Sequence, residues 1–317
     1  MFDRDHSFTF YDTDIEEGDC ENGTATGCAE CGDTVAFIDD CTYTVSRDTP
    51  VQLSEKLSAQ YKLISSYMSS NRLVINDEKT HVLVFSKKSR ISEREEVKLK
   101  AGLHEITPLK TEKLLGGHIS QELKWNEHIL DNEHSLIRQL NSRINGLIKV
   151  CKSAPFKQRL MIANGIFISR CIYLIQVWGG ASKYLIKSIQ ILMNKAARAV
   201  TRLSWYTPTR ILMKQCNWLS VSQLIHYHTV LLTHKVVMTQ RPKYLHDKMC
   251  TSNTYNTRAK IKFGENFTGR TALASGSFCY RSATTYNLLP QSLREIQSIP
   301  TFKRRPREWT MRSIGIE

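Results

Sequence analysis

Between Glu133 and Asp247 the chain runs for 113 positions without an Asp or Glu, while 17 Lys and Arg residues fall in the same stretch. Any compact structure built from it carries positive charge that nothing within the segment neutralises, and like charges on a folded surface repel and destabilise the compact state. Such a segment suits a fold whose counter-charge arrives from outside as a polyanion. Nucleic acid fits first and an anionic membrane surface second, whereas solubility alone would not require the acids to be excluded. The imbalance is polarised along the chain: residues 1–40 hold 12 acids and one Arg, a balance of −11, and residues 41–317 hold +25 of a net charge of +14.

Length and composition bound the rest. The 317 residues suggest two domains, and 41% hydrophobic against 23% charged residues can bury a core. No run reaches the ~18 apolar residues of a membrane span. The stretch from Ile162 to Trp178 comes nearest, and Arg170 interrupts it. Met1, Asp3, Arg4, Asp5 and His6 lack the basic start of a signal peptide. Nine scattered cysteines, an odd number, fit reduced thiols. The expectation is an intracellular protein, nuclear or cytoplasmic and not secreted, without a membrane partner.

Residues 1–27 are acidic and rich in Gly, Asp, Glu, Asn and Thr towards Gly27, and read as a disordered or loosely attached tail. Two β-prone runs, Val35 to Ile38 and Cys41 to Val45, flank Asp39-Asp40 and predict a hairpin with the acid pair at its tip. Thr49 and Pro50 then open a helix with Leu53, Leu57, Tyr61, Ile64 and Met68 on one side. Asn76-Asp77-Glu78 is a turn, His81 to Ser86 alternates as a strand, and 87–108 reads as a charged connection. Leu114 to Ile119 predicts a second hairpin through Gly116 and Gly117. From Asn126 the pattern is helical, with a stripe of Leu136, Leu140, Ile144, Leu147 and Val150 and a central stretch from Phe156 to Trp178 that is apolar all round. Residues 183–203 predict a helix on which Lys183, Lys187, Lys195, Arg198 and Arg202 share an arc of about 120°, a candidate phosphate track. Helices continue over 206–247, 248–283 is less regular, and a last amphipathic stretch runs from Tyr286 to Trp309.

Asp39 and Asp40 are the main candidates for chemistry, because adjacent carboxylates at a hairpin tip can present oxygen to a divalent cation, the arrangement that nucleotidyl transfer uses with Mg²⁺. Cys28 and Cys31, with Cys20 and Cys41 nearby, could form a zinc site, but their irregular spacing favours unligated thiols. His226 and His228 point nearly apart on a helix, so with His234 they read as structural. Lys303-Arg304-Arg305-Pro306-Arg307 has the look of a nuclear-import patch.

A resemblance adds to this reading. Phe37-Ile38-Asp39-Asp40 resembles the F/Y-A-D-D box of reverse transcriptases. Asn71-Arg72-Leu73-Val74-Ile75-Asn76-Asp77-Glu78-Lys79-Thr80 is similar to the next palm motif, N-R-L-x-x-N-x-x-K-T, of the non-LTR (LINE-like) retrotransposon enzymes. Lys113 to Ile119 and Leu123 to Ile129 resemble their K-x-L-G-x-x-I and L-x-W-x-x-H-I segments. Ile175 to Gly180, Asn194 to Arg198 and Leu289 to Arg294 follow in the family's order.

The resemblance implies an α+β chain: a partial polymerase palm of antiparallel hairpins and a helix over 28–125, a helical thumb over 126–215 and a C-terminal helical extension over 216–317. It implies an RNA-directed DNA polymerase that transfers nucleotides from dNTP to a primer 3′-OH on an RNA template, with Mg²⁺ as cofactor. Asp39 and Asp40 would be the metal carboxylates, Lys79 the lysine near the triphosphate, and Phe37 would pack at the primer terminus. Gly116 and Gly117 would let backbone approach the primer, and the cationic helix would grip the hybrid duplex; no protein partner is implied. The departures are Ile38 where Ala is usual, Cys41 where Thr is common, and no upstream carboxylate strand or fingers ahead of Asp39, so the expectation is a fragment inactive alone. The alternatives are a non-catalytic nucleic-acid-binding protein and a degenerate transposon relic.

Overall fold

The computed structural model describes residues 33–37, 40–86, 92–102, 104–250 and 271–313. The acidic stretch 1–27, the cysteines Cys20, Cys28 and Cys31, the pair Ile38 and Asp39, and most of 248–283 lie outside the described residues. The fold is α+β and mainly helical, with three two-stranded sheets among the described residues, and the chain divides after Glu112 into two compact units. This division comes ahead of the expected one at 125. No helix among the described residues is long and apolar enough to cross a membrane.

In the first unit, β1 (Asp33–Phe37) pairs antiparallel with β2 (Asp40–Thr44), and the register ends at Phe37 opposite Asp40. The expected pairing of the two runs is present, but Asp40 already belongs to the second strand, opposite Phe37, and Asp39, the other member of the acid pair expected at the tip, lies outside the described residues. Helix α1 (Pro50–Ser70) starts as the sequence predicts: the Thr49 side chain accepts from the Gln52 N–H at 3.3 Å, and Pro50 occupies the first turn, where its missing N–H costs nothing. Leu53, Leu57 and Tyr61 pack on Val82, Val84, Val97 and Leu99.

Two expectations fail in this unit. The segment 81–86 keeps its alternation, with Val82 and Val84 buried and Phe85 exposed, yet it makes only an isolated parallel bridge from Val82 to Pro108 and is not a strand. The expected charged connection contains a hairpin, β3 (Leu99–Ala101) with β4 (His104–Ile106), turning at Gly102 with φ +59°. Val97, Leu99 and Ala101 face inward at period two, and the lysines between them conceal the pattern. Helix α1 also satisfies this short strand's edge, since the backbone N–H groups of Lys98 and Lys100 each donate to the Ser54 and Ser58 hydroxyls respectively at 3.1 Å.

The division falls within β5 (Thr111–Leu114), which forms a hairpin with β6 (Gly117–Ser120) at the start of the second unit. Its two-residue turn has φ +47° at Leu115 and +79° at Gly116, the sign pattern of the tight turn that matches strand twist. A π-helical turn (Glu127–Asp131) leads to α2 (Leu136–Val150), which buries Leu136, Leu140, Ile144 and Leu147 of the predicted stripe, while its last member, Val150, is exposed. The stretch expected to be central, Phe156 to Trp178, forms α3 (Phe156–Ala163), a π-helical turn (Asn164–Ile168), α4 (Ser169–Ile172) and α5 (Ile175–Trp178). The left-handed Leu174, φ +55°, turns the chain before α5. It is central on one side only: Phe167, Cys171, Ile175 and Trp178 are buried, while Met161 and Val177 are exposed.

Helix α6 (Lys183–Thr201) packs Leu185, Ile189, Met193, Ala197 and Val200 into the same core, together with α7 (Thr209–Cys216) and the start of α8 (Val221–Thr239). The expected boundary between 215 and 216 therefore falls inside one continuous core. After α9 (Lys243–Cys250), the described chain resumes with α10 (Ala272–Gly276), α11 (Phe278–Asn287), α12 (Gln291–Arg294) and α13 (Ile299–Ser313). Tyr286, Leu289, Leu293 and Phe302 gather on Val230 of α8. His234 organises this second cluster. Its ring stacks on Phe302 at 3.5 Å, Nε2 donates to the Ile296 carbonyl at 2.8 Å, and the remaining nitrogen accepts from the Tyr286 hydroxyl at 3.0 Å. Of the three histidines in this group, His234 thus packs and hydrogen-bonds inside the second cluster.

Candidate nucleic-acid interface

The structure places the predicted site residues in three groups. In the first unit, Asp40 is exposed at the start of β2, and Lys79 is exposed at the end of a single 3₁₀ turn, Asp77–Lys79, that the Asn76 side chain caps through the Glu78 N–H at 3.1 Å. No hydrogen bond or ion pair joins Asp40 to Lys79. Asp39 lies outside the described residues, as does the side chain of Phe37. Among the described residues no group of three or more His, Cys, Asp and Glu stands close enough to hold a metal ion, so the carboxylates present do not by themselves compose an Mg²⁺ site. The motif around Asn71 does local work: the Asn71 side chain donates to the Tyr67 carbonyl at 2.9 Å at the end of α1, and Asp77 accepts from the Tyr61 hydroxyl. Burial first, and that bond second, push the Tyr61 phenol up to about 12.

The second group is the exposed face of α6. Lys183, Lys187 and Lys195 are solvent-exposed along it, interleaved with Tyr184 and Ile191, which are also exposed. The two arginines expected on this track are used differently. Arg202 is not in the helix; it caps α6 in the left-handed region at φ +62°, and its guanidinium donates to the Cys151 and Lys152 carbonyls at 2.8 and 2.7 Å. Those carbonyls at the end of α2 have no helical partners, so Arg202 holds the α2 terminus. Arg198 turns its guanidinium over the Trp205 ring, 4.6 Å from the centroid. The track is thus three lysines, because the last two cations are recruited to anchor loops.

The third group surrounds the hairpin turn and was not anticipated as a site. Beside Gly116 a cleft of about 380 Å³ is lined by Lys113, Arg143, Arg170, His118, His134 and Tyr173, and no carboxylate lines it among the described residues. Tyr173 fixes the turn: its hydroxyl donates to the Leu115 carbonyl at 2.6 Å, and a Cβ at Gly116 would sit 3.4 Å from its ring. A Cβ at Gly117 would reach 2.9 Å from Leu174. The two glycines therefore admit the side chains that follow α4, in addition to any strand that approaches them. Arg143 donates to the Ile166 carbonyl at 2.7 Å, while Arg170 lies 5.2 Å from the Tyr173 ring centroid with its buried Nε unpartnered. Burial and, after it, the charge of Arg143 lower the Arg170 pKa, which remains cationic.

Two guanidiniums and an ammonium around one concavity, without an acid, create a positive potential in a partly desolvated place, where an anion is bound more strongly than on open surface. A phosphate would relieve the mutual repulsion of Arg143 and Arg170 and could take bidentate hydrogen bonds from either. Arg170 had a signal in the sequence, as the one charge inside an apolar run. Arg143 had none beyond membership of the acid-free stretch, since only the tertiary fold brings α2 and α4 to the hairpin. Compared with protein-family models, with curated protein sequences and with solved structures, the chain matches none.

Proposed function

We propose that this chain is part of an RNA-directed DNA polymerase of the non-LTR retrotransposon type, and that residues 113–317 are the helical thumb and extension by which it grips a template–primer hybrid. The observation that carries the reading is the joint occurrence, in the unit without acids from 134 to 246, of an exposed lysine face on α6 and an acid-free cationic cleft at the Gly116 hairpin. Both features recognise phosphate and neither offers a set of side chains for reading base edges, which suits an enzyme that must hold any sequence. The first unit contributes the palm hairpin, from which Asp39 and Asp40 would hold Mg²⁺ in the complete enzyme. Mg²⁺ there would activate the primer 3′-oxygen and stabilise the leaving pyrophosphate.

Binding to an RNA–DNA hybrid, measured by fluorescence anisotropy across a salt series, tests this. The expected affinity falls steeply with salt, and the combined Lys183→Ala, Lys187→Ala, Lys195→Ala variant has a log–log slope shallower by about two to three, since each phosphate contact contributes close to one. Unchanged slope would refute the α6 face as the grip. Arg170→Ala is expected to weaken binding roughly tenfold, as the loss of one desolvated charged contact. A second reading, a non-catalytic binding protein, is favoured by the location of both cationic features outside the palm unit. The two readings part on primer extension: with Mg²⁺, dNTP and a palm–fingers half supplied in trans, the polymerase reading expects extension that Asp39→Ala abolishes, and the binding-protein reading expects none.

A further inference from the structure

The connection from α6 to α7 presents two large aromatics to solvent on a constrained support. Trp205 is 69% exposed and Tyr206 92% exposed. They are the central residues of a turn closed by the Thr207 N–H on the Ser204 carbonyl at 3.0 Å and braced by the Tyr206 N–H on the Ser204 hydroxyl at 3.4 Å. The turn is pinned from both sides: Asn194 of α6 donates to the Thr209 hydroxyl at the start of α7 at 2.8 Å, and Arg198 donates to the Thr207 carbonyl at 3.4 Å. The Arg198 guanidinium covers one face of the Trp205 indole, which holds the ring and leaves its other face open. Lys195 of α6, Arg202 at its C-cap and Arg210 of α7, all exposed, flank the turn in sequence.

We propose that this turn is a stacking platform for unpaired bases, so that the chain binds single-stranded nucleic acid in addition to the hybrid. The proposal rests on the nucleic-acid reading above and extends it to a second class of ligand. Two exposed aromatic faces between cations match what an unpaired nucleotide offers, a π-face and a phosphate, and a paired base offers only the latter because its faces are already stacked. The surrounding acid-free sequence disfavours a cationic peptide, and an acidic protein would not need the open ring face that Arg198 prepares. Ser204, Thr207 and Arg202 around the rings are too polar for insertion into lipid.

The test compares the full chain's affinity for an oligothymidylate of about 12 nucleotides with its affinity for an abasic strand of the same length, read by anisotropy and by tryptophan quenching. The two strands carry the same phosphates and differ only in bases. The base-bearing strand is expected to bind roughly tenfold more tightly and to quench fluorescence, since stacking on an aromatic is worth about that much per base. The Trp205→Leu, Tyr206→Leu variant, checked for native circular dichroism, is expected to bring the ratio near one, whereas Lys195→Ala weakens both strands alike and preserves the ratio. Equal affinity of the wild type for the two strands would overturn the platform while leaving the phosphate grip intact. Failure to bind either strand, with hybrid binding retained, would overturn the platform alone, and failure to bind the hybrid as well would overturn both. A Trp205-dependent blue shift with phosphatidylserine vesicles, without quenching by oligothymidylate, would assign the turn to a membrane surface and also overturn it.

Discussion

His128 and His226 show what single residues contribute when the fold refuses them a charge. His128 is buried beneath the hairpin, where Nδ1 accepts the His118 backbone N–H at 3.3 Å and the ring lies edge-on to Trp125. Burial first, then the charges of Arg170 and His118, hold its pKa near about 4; burial alone does the same for His226, whose ring nitrogens have no hydrogen-bond partner. Both pKa values are depressed, so the folded protein keeps these rings neutral while the unfolded chain protonates them below about 6.5. The unfolded state then binds more protons, and stability falls as pH drops through the window from about 6.5 towards 4. By pH 5 each ring is expected to cost about 2 kcal/mol. Urea unfolding at pH 7, 6 and 5 checks this: the midpoint should decline, and the His128→Gln, His226→Gln variant should flatten the decline. A wild-type midpoint constant over that range would remove the argument.

At the scale of elements, what the sequence reveals depends on whether neighbouring residues alone determine the outcome. The α1 start, the Gly116 turn and the α2 stripe are written in local chemistry, through Thr49-Pro50, a glycine at φ +79° and a period of 3.6. The β3–β4 hairpin was concealed because lysines alternate with its inward Val97, Leu99 and Ala101, and charge density outweighs three apolar positions. The α4–α5 break at Leu174 leaves no local mark, since Leu is a good helix former and tertiary packing alone imposes the left-handed turn. The candidate interface divides in the same way. The lysines of α6 were readable from helical periodicity, whereas the diversion of Arg198 and Arg202 to loops, and the meeting of Arg143 with Arg170, depend on partners far away in sequence. Gly180 gives this a measurable form. A Cβ there would overlap the Gly276 backbone, so the α10 segment can approach the end of α5 only where no side chain intervenes. Gly180→Ala is expected to destabilise the protein by about 3 kcal/mol, because backbone cannot yield as a flexible side chain can. Gly146→Ala, with open space at its Cβ inside α2, should instead be neutral or stabilising by about 0.5–1 kcal/mol. Thermal unfolding of the two variants compares them directly, and equal midpoints would mean that α10 does not pack on Gly180.

For the whole molecule, the charge imbalance sets an unusual dependence on the solvent. The chain carries +14, and the ion pairs among the described residues of 113–317 are Lys124 with Glu122 and His246 with Asp247, neither of which touches the 17 cations of the acid-free stretch. Repulsion among those cations opposes the compact state, and salt shortens its reach from a Debye length of about 10 Å at 0.1 M to about 3 Å at 1 M. A protein held together by surface ion pairs loses stability as salt rises; this one is expected to gain it, with a higher unfolding midpoint at about 300 mM NaCl than at about 20 mM. A polyanion acts by another route. On the proposed function it would bind the folded cation face and cleft in preference to the unfolded chain, and at a hundredfold excess over Kd it would add about 2.7 kcal/mol. That increment must shrink with salt, since the binding depends on released counterions. The two effects therefore run in opposite directions along one axis: salt alone raises the midpoint, while the further rise from an RNA–DNA hybrid is largest at low salt. Reversing Lys183, Lys187 and Lys195 to Glu separates them, because the variant should be more stable than the parent at low salt and nearly indifferent to the hybrid. A parent midpoint that falls with salt, or a hybrid increment that survives at high salt, would show that the positive charge is balanced within the fold and has no polyanion to await.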